Sequence, residues 1–259
     1  MSIQIRLNGL SFCILNRSSN TIEYIAHIPL NKKATPYELL NELKQAVDSK
    51  IELQQTFDTI TCIYQNELAC IVPNPFFDKD NLAEYLKFNS KILKSDFISF
   101  DKLAANNSVN VYIPLVNINN YLFEKFGAFD YKHFASILIE TLLQKESTEK
   151  EDVIYLNVND TSFEIIGVKN RSLTFYNTFE YESKEDFIYY ILFTVEQLQL
   201  NPETIKMVII DGISEKDVLF KILYKYVRFV TVLKPNYTYS IEPNVDHNFN
   251  NYTLLNSFN

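Results

Sequence analysis

Twice along these 259 residues the same order of signals appears: three short strands joined by polar turns, then a capped amphipathic helix. A half-buried strand alternates apolar and polar residues because successive side chains point to opposite faces. Ile3, Ile5 and Leu7 alternate in this way, Asn8-Gly9 is a strong hairpin signal, and Leu10 to Leu15 returns. The polar run Arg17 to Asn20 turns the chain again, and Ile22 to Ile28 reads as the third strand. Thr35 then stands as an N-cap, Pro36 suits the first helical position, and Glu38 follows three residues after Thr35, as in a capping box. Leu39, Leu40, Leu43 and Val47 give that helix its apolar stripe.

The order recurs after residue 152. Val153 to Val158, Ser162 to Val168 and Leu173 to Phe179 read as strands, with turns at Asn159-Asp160 and Lys169-Asn170. Ser183 caps the next helix, Asp186 lies three residues on, and the helix runs to about Leu200. It is apolar on nearly every side (Phe187, Ile188, Tyr190, Ile191, Leu192, Val195), which predicts a mostly buried helix. Residue identity between the halves is poor, so the repeat lies in pattern and not in letters.

The remaining signals fit between and after these blocks. Thr59 to Tyr64 and Leu68 to Val72 read as strands around Gln65-Asn66-Glu67, and a helix is expected from about Asp80 to Phe88. Asn89 to Asn107 is polar and has no clear period. Val109 to Pro114 is strand-like, and Asn117 to Phe126 and His133 to Gln144 are helical. Lys145 to Asp152 is charged and lacks any large apolar residue, the signature of a linker. It sets two lobes at 1–147 and 148–259, the second carrying a C-terminal tail. In the second lobe Met207 to Ile210 is a strand, Ser214 and Asp217 mark a helix start, and Phe229 to Leu233 is a last strand.

Charge narrows the function classes. Residues 1–149 carry 14 basic against 17 acidic side chains, and the rest 10 against 15, so neither half is basic. A nucleic-acid binder needs a basic face to neutralise phosphates, so nucleic acid is not expected as a partner. The longest strongly apolar segment, Phe187 to Val195, is about half the ~20 residues a membrane helix needs, and Met1 to Arg6 lacks the form of a secretory leader. Cys13, Cys62 and Cys70 lie in apolar, strand-like runs without a CxxC pair, as buried thiols of a cytoplasmic protein do.

The opening Ser2 to Leu15 (SIQIRLNGLSFCIL) and the stretch Val111 to His133 (VYIPLVNINNYLFEKFGAFDYKH) resemble a family of uncharacterised bacterial proteins with an actin-like ATPase fold. That fold is a duplicated ribonuclease-H-like unit, and the repeated βββα start resembles it independently. The resemblance implies a mixed α/β, two-lobed architecture with a duplicated βββαβαβα unit, over nearly the whole chain. It implies no activity, because the family's function is unassigned.

In working actin-like ATPases two hairpin turns face one another across an interlobe cleft, each with an Asp-x-Gly pattern, and a Gly-Gly pair supports the adenosine. Glycines admit phosphate to backbone N–H groups, and the acids order Mg²⁺ and the attacking water. On that resemblance the nucleotide contacts would be Asn8, Gly9 and Ser11 in the first turn, Asn159, Asp160 and Thr161 in the second, and Asp211 and Gly212 at the adenosine motif. The match departs where chemistry is required. Leu7 stands at the first acid, Asn157 and Asn159 stand at the second acid and glycine, and Ile210-Asp211-Gly212-Ile213 holds one glycine. The chain has four glycines in all, few for a site built from three phosphate-facing loops.

Other chemistry has less support. His27, His133 and His247 lack metal-ligand spacing, Asp78-Lys79-Asp80 lacks the glycine of a calcium loop, and no nucleophile motif occurs. No catalytic or metal residue is therefore assigned. Tyr237, Tyr239, Phe249, Tyr252 and Phe258 alternate with polar residues in the tail, which either offers a protein-contact surface or packs back on its own lobe. The leading expectation is a non-catalytic binding or scaffolding protein with a protein partner, a pseudo-ATPase. The alternatives are a divergent ATPase using ATP and Mg²⁺ with Asp160 or Asp211 as its acid, and a subunit of an assembly like those of bacterial division or pilus machines.

Overall fold

The alternating opening residues form β1 (Ser2–Arg6), β2 (Gly9–Asn16) and β3 (Thr21–Pro29), an antiparallel meander. The computed structural model describes residues 1–258 apart from 31, 89–91, 94, 146–151 and 246–250. The chain divides into two compact units, Met1–Leu138 with Tyr237–His247 and Thr253–Asn259, and Ile139–Asn236 with Asn248–Tyr252. The expected linker falls largely on residues 146–151, and His247 and Phe249 also lie outside the described residues.

In the first unit α1 (Pro36–Ser49) follows β3 with the full Thr35/Glu38 capping box in place. β4 (Thr61–Gln65) then pairs parallel with β1. An excursion follows: β5 (Ala69–Pro73), α2 (Leu82–Leu86), β6 (Ser99–Leu103), β7 (Ser108–Tyr112) and α3 (Val116–Phe126). The chain returns as β8 (Asp130–His133), parallel to β4, and enters α4 (Phe134–Lys145), within which the division of the units falls.

The large sheet thus carries the order β3-β2-β1-β4-β8. Ile3, Ile5, Leu10 and Phe12 from it pack with Leu39, Leu43 and Val47 of α1 and Ile118 and Leu122 of α3. Each such fully buried side chain contributes about 1.5–3 kcal/mol. The excursion makes its own sheet, β5-β7-β6, with a separate small core around Val72, Leu86, Val109 and Val111. Gln65-Asn66-Glu67 therefore joins two sheets rather than two partners. The unpatterned stretch contains β6, whose sequence SFDKL pairs with β7.

The second unit repeats the plan. β9 (Val153–Val158), β10 (Ser162–Lys169) and β11 (Ser172–Glu180) form the meander, and α5 (Lys184–Gln197) follows with a Ser183/Asp186 capping box. β12 (Lys206–Asp211) lies parallel to β9, α6 (Val218–Tyr226) follows, and β13 (Phe229–Val232) lies parallel to β12. The order is β11-β10-β9-β12-β13, the same as that of β3 to β8. Asn170 and Arg171, both at positive φ, make the β10–β11 turn, one residue beyond the expected Lys169-Asn170.

One expectation needs correction. Tyr189 and Phe193 of α5 are 60% and 44% exposed, since the helix has one sheet to cover and one face left over. Of the two readings left open for the tail, the described residues show packing: Tyr239, Tyr252, Leu254 and Leu255 are buried. In the first unit β14 (Ser240–Ile241) adds parallel to β3, and Ser257 Oγ lies 2.6 Å from Ser2 Oγ. The short helix α7 (Tyr252–Asn256) ends the regular structure.

Candidate functional site

Ligands of open sheets with parallel strands bind outside the carboxyl ends of those strands. β1 and β4 present such ends in the first unit, and β9 and β12 in the second. Of the residues expected from sequence, Asn8 and Gly9 lie at the first of these ends and Asn159, Asp160, Thr161, Asp211 and Gly212 at the second, whereas Ser11 lies within β2 opposite Gln4.

In the first unit Arg6 pairs with Gly9, leaving Leu7 and Asn8 as the turn. Leu7 O accepts from Ala34 N–H at 2.7 Å and Asn8 O from Leu30 N–H at 2.9 Å, so the chain leading to α1 ties the turn down. Neither Asn8 nor Gly9 has positive φ, so this is not the left-handed hairpin that Asn-Gly predicts. Gly9 is needed for another reason: a Cβ there would sit 2.9 Å from Ile28 O on β3. Buried Ser11 places Oγ 2.9 Å from His27 Nδ1, and Arg6 Nη2 lies 3.4 Å from the same nitrogen. A guanidinium only donates, so Nδ1 is the acceptor and Ser11 a donor. Beside the turn lies a recess of about 110 Å³, lined by Arg6, Leu7, Pro36, Tyr64, Asn66 and Leu115 among others.

The second turn is longer. Val158 pairs with Phe163, and Asn159 N–H closes the loop on Ser162 O at 2.8 Å. Beneath it Glu164, only 2% exposed, accepts from Asn157 Nδ2 at 2.8 Å and from Asn159 Nδ2 at 3.2 Å, both on Oε2. Tyr181 OH donates to Asn159 O at 2.6 Å, and its hydroxyl is pushed up to about 12 by burial and then by the Asp160 charge. Asp160 and Thr161 point outward, exposed.

Asp211 ends β12 opposite Asn157, where the register shifts between Ile209 and Asp211. Its Oδ1 accepts from Gly212 N–H at 3.0 Å and its Oδ2 from Tyr252 N–H at 2.8 Å. Gly212 has φ 94°, a conformation that favours glycine. The second unit thus brings Asn157, Asn159, Glu164 and Asp211 together at one strand end, each bonded within its own unit. Glu164 was not among the residues singled out by sequence; a glutamate in the middle of an apolar strand (SFEIIGVK) is the signal that points to it.

A second polar cluster escaped the sequence because its members are far apart in the chain. In the first unit Asp101 Oδ2 accepts from His133 N–H at 2.7 Å and Ser136 Oγ at 2.6 Å, and Oδ1 from Tyr112 OH at 3.1 Å. Burial still raises its carboxyl above the usual range, against the pull of those donors. Asn110 Nδ2 donates to Ser136 Oγ at 3.0 Å. His133 Nδ1 accepts from Ala135 N–H, which leaves Nε2 to donate to Asn66 O at 3.2 Å, and burial lowers the imidazole to about 4. Ser136 bonds to Asp101 and not to His133, so no Ser-His nucleophile results. Asp101 instead anchors the start of α4 to the small sheet, a carboxylate at a helix N-terminus.

Among the described residues no group of three or more His, Cys, Asp or Glu could hold a metal ion. All three cysteines are free, and burial raises each thiol, that of Cys62 to about 12. Among the described residues no helix is long and apolar enough to cross a membrane.

The sequence matches the family described as a protein of unknown function (DUF3822) over residues 1–230, and the chain belongs to that family. No curated protein matches it. A Bacteroides thetaiotaomicron protein with actin-like ATPase fold and unknown function is similar at 20% identity and TM-score 0.81, over 90% of this chain and 89% of that one. A chain of the PilM-PilN type IV pilus biogenesis complex is similar at 12% identity and TM-score 0.58, over 93% and 90%. The fold is therefore that of the actin-like ATPases, as the two βββα blocks lead one to expect.

Proposed function

We propose that this DUF3822 protein keeps the actin-like fold as a platform for a protein partner and does not hydrolyse ATP. One observation carries the reading: the Glu164 carboxylate takes the amides of both Asn157 and Asn159, 2.8 and 3.2 Å away. A turn that binds phosphate offers its donors to the ligand. A carboxylate buried directly beneath the turn repels phosphate strongly, because low dielectric weakens screening. Leu7 adds no acid in the first turn, and Asp211 is bonded to Gly212 and Tyr252.

The partner role draws on two further facts. PilM, which shares the fold, is named in a complex with PilN. Tyr189 and Phe193 stand exposed on α5 and stack on each other, the residue type that anchors interfaces. Three free thiols suit a reducing compartment, so the role is set in the cytoplasm.

Calorimetry of the purified protein with Mg²⁺ and ATP up to millimolar levels tests the reading. No heat is expected, under conditions where a working actin-like ATPase gives a clear signal. Micromolar binding would overturn it and favour a divergent ATPase, whose exposed Asp160 and Thr161 would then meet the nucleotide. In that case Asp160→Asn with Asp211→Asn should abolish turnover.

A further inference from the structure

The five-stranded sheet of the second unit ends on β11, a nine-residue strand whose one hydrogen-bonded neighbour among the described residues is β10. Long edges are normally blunted by shortness, Lys, Pro or a covering segment, because unpaired N–H and C=O groups recruit another strand. The other edges of the two large sheets are blunted. β13 and β8 have four residues each, β8 contains Lys132, and β3 is covered in part by β14. β11 reads SLTFYNTFE, with no Lys, Arg or Pro and a single charge at its end. Its residue Thr174 falls at a register shift, so the regular part is Phe175 to Glu180.

Which groups face outward follows from one bond. Tyr181 N–H donates to Thr161 O at 3.0 Å, so by the two-residue period Phe179, Asn177 and Phe175 turn their backbone groups to β10. Tyr176 and Thr178 turn theirs away. Thr178 N–H is held at 2.9 Å by the side-chain oxygen of its own neighbour Asn177, a local substitute for a strand partner.

We propose that β11 pairs antiparallel with β11 of a second copy of this chain, about a two-fold axis at Asn177. An isologous contact must be self-complementary. With the axis at Asn177, Tyr176 and Thr178 fall opposite each other and exchange their outward backbone bonds. Phe175 falls opposite the second copy's Phe179, and the two Asn177 amides face one another. Aromatic–aromatic and aromatic–β-branched pairs are the stabilising cross-strand combinations, and no like charges meet. Phe175 and Phe179 already rest against the helix-side core of their own sheet, so pairing would cover their open edges. Asn177 must release Thr178 N–H, exchanging one local bond for the strand ladder. The inference does not depend on whether nucleotide binds.

Analytical ultracentrifugation across a concentration series tests it on the whole chain. The native protein should form dimers of twice the chain mass. Asn177→Lys and Asn177→Glu should each be monomeric, since each places like charges on the axis, and circular dichroism should show both folded. Mixing the two should restore a dimer, now a heterodimer. Should either variant fail to fold, Thr178→Pro removes an outward N–H, together with a hydroxyl 3.5 Å from Tyr176 OH, and should also give monomers. A native monomer at the highest soluble concentration, even one that captures some other strand, would overturn the proposal. So would a dimer indifferent to these substitutions.

Discussion

The two large sheets share one strand order but close their strand ends by different chemistry. In the first unit the ties of a two-residue turn among the described residues are backbone bonds, Leu7 O and Asn8 O accepting from Ala34 and Leu30, with β3 close over Gly9. In the second a longer turn keeps backbone ties, Asn159 N–H to Ser162 O and Tyr181 N–H to Thr161 O, and adds side-chain ones, two asparagines on one glutamate. Topology therefore fixes where a ligand site could form and leaves open whether the donors there are free. Here the side-chain amides of the second turn, Asn157 and Asn159, are engaged, which the strand order alone would not reveal.

The comparison is broken most strongly by removing the acceptor that the first unit does without. Glu164→Ala removes an acceptor shared by two buried amides, and an unsatisfied buried polar group costs about 1–3 kcal/mol. We expect a loss of about 3 kcal/mol in urea unfolding. A neutral outcome would mean that Asn157 and Asn159 find other partners and that the two turns are less different than they look.

A pH series sharpens the contrast next, since the first unit holds the buried histidine. The neutral form of His133 is favoured when folded, its pKa falling from 6.5 to about 4. Below pH 6.5 the unfolded chain binds a proton that the folded chain refuses. The stability term is therefore intact above 6.5 and is lost as pH falls toward 4, by about 2 kcal/mol at pH 5. Asp101, whose carboxyl is raised, works in the opposite sense at lower pH, because the folded state then takes up the proton first. His133→Gln should flatten the stability curve between pH 6.5 and 5; an unchanged slope would place its origin elsewhere.

Gly9→Ala follows. Its Cβ would lie 2.9 Å from Ile28 O, a backbone atom with little freedom to yield, and overpacking of this kind costs about 1–3 kcal/mol. We expect about 1.5 kcal/mol by thermal unfolding. No loss would mean that β3 moves aside.

How far the sequence carried varied with the range of the interaction. Both meanders and both helix starts were legible because their signals are local: alternation in Ile3 to Leu7 and turn residues at Asn159. Strand β6 was not, because SFDKL becomes a strand by pairing with β7 and gives little periodic sign of its own. The excursion sheet was hidden for a like reason, since nothing in Gln65-Asn66-Glu67 tells a hairpin from a crossing between sheets. At the candidate site the departures at Leu7 and Asn157 were readable. The partners of those residues were not, because Glu164 and Tyr252 meet Asn157 and Asp211 only through folding. The Asp101 cluster joins residues 101, 110, 112, 133 and 136 and has no sequence motif at all.

The smallest effect tests where the units are most alike. Thr35 and Ser183 each accept from the backbone N–H three residues on, at 3.3 Å from Glu38 and 3.1 Å from Asp186, and each carboxylate reaches back to its cap residue. The capped helices follow the third strand in both units and cover its sheet. Replacing such a cap by Ala removes one bond to an otherwise orphaned N–H and costs about 1 kcal/mol. Thr35→Ala and Ser183→Ala should therefore destabilise to the same extent, although the two turns differ in their side-chain bonds. Measured by denaturant unfolding, equal losses would support a repeat whose folding devices are shared while its strand-end chemistry has diverged. Unequal losses would show that the units rely on their helices to different degrees, with the larger loss marking the unit whose helix supports more of its sheet.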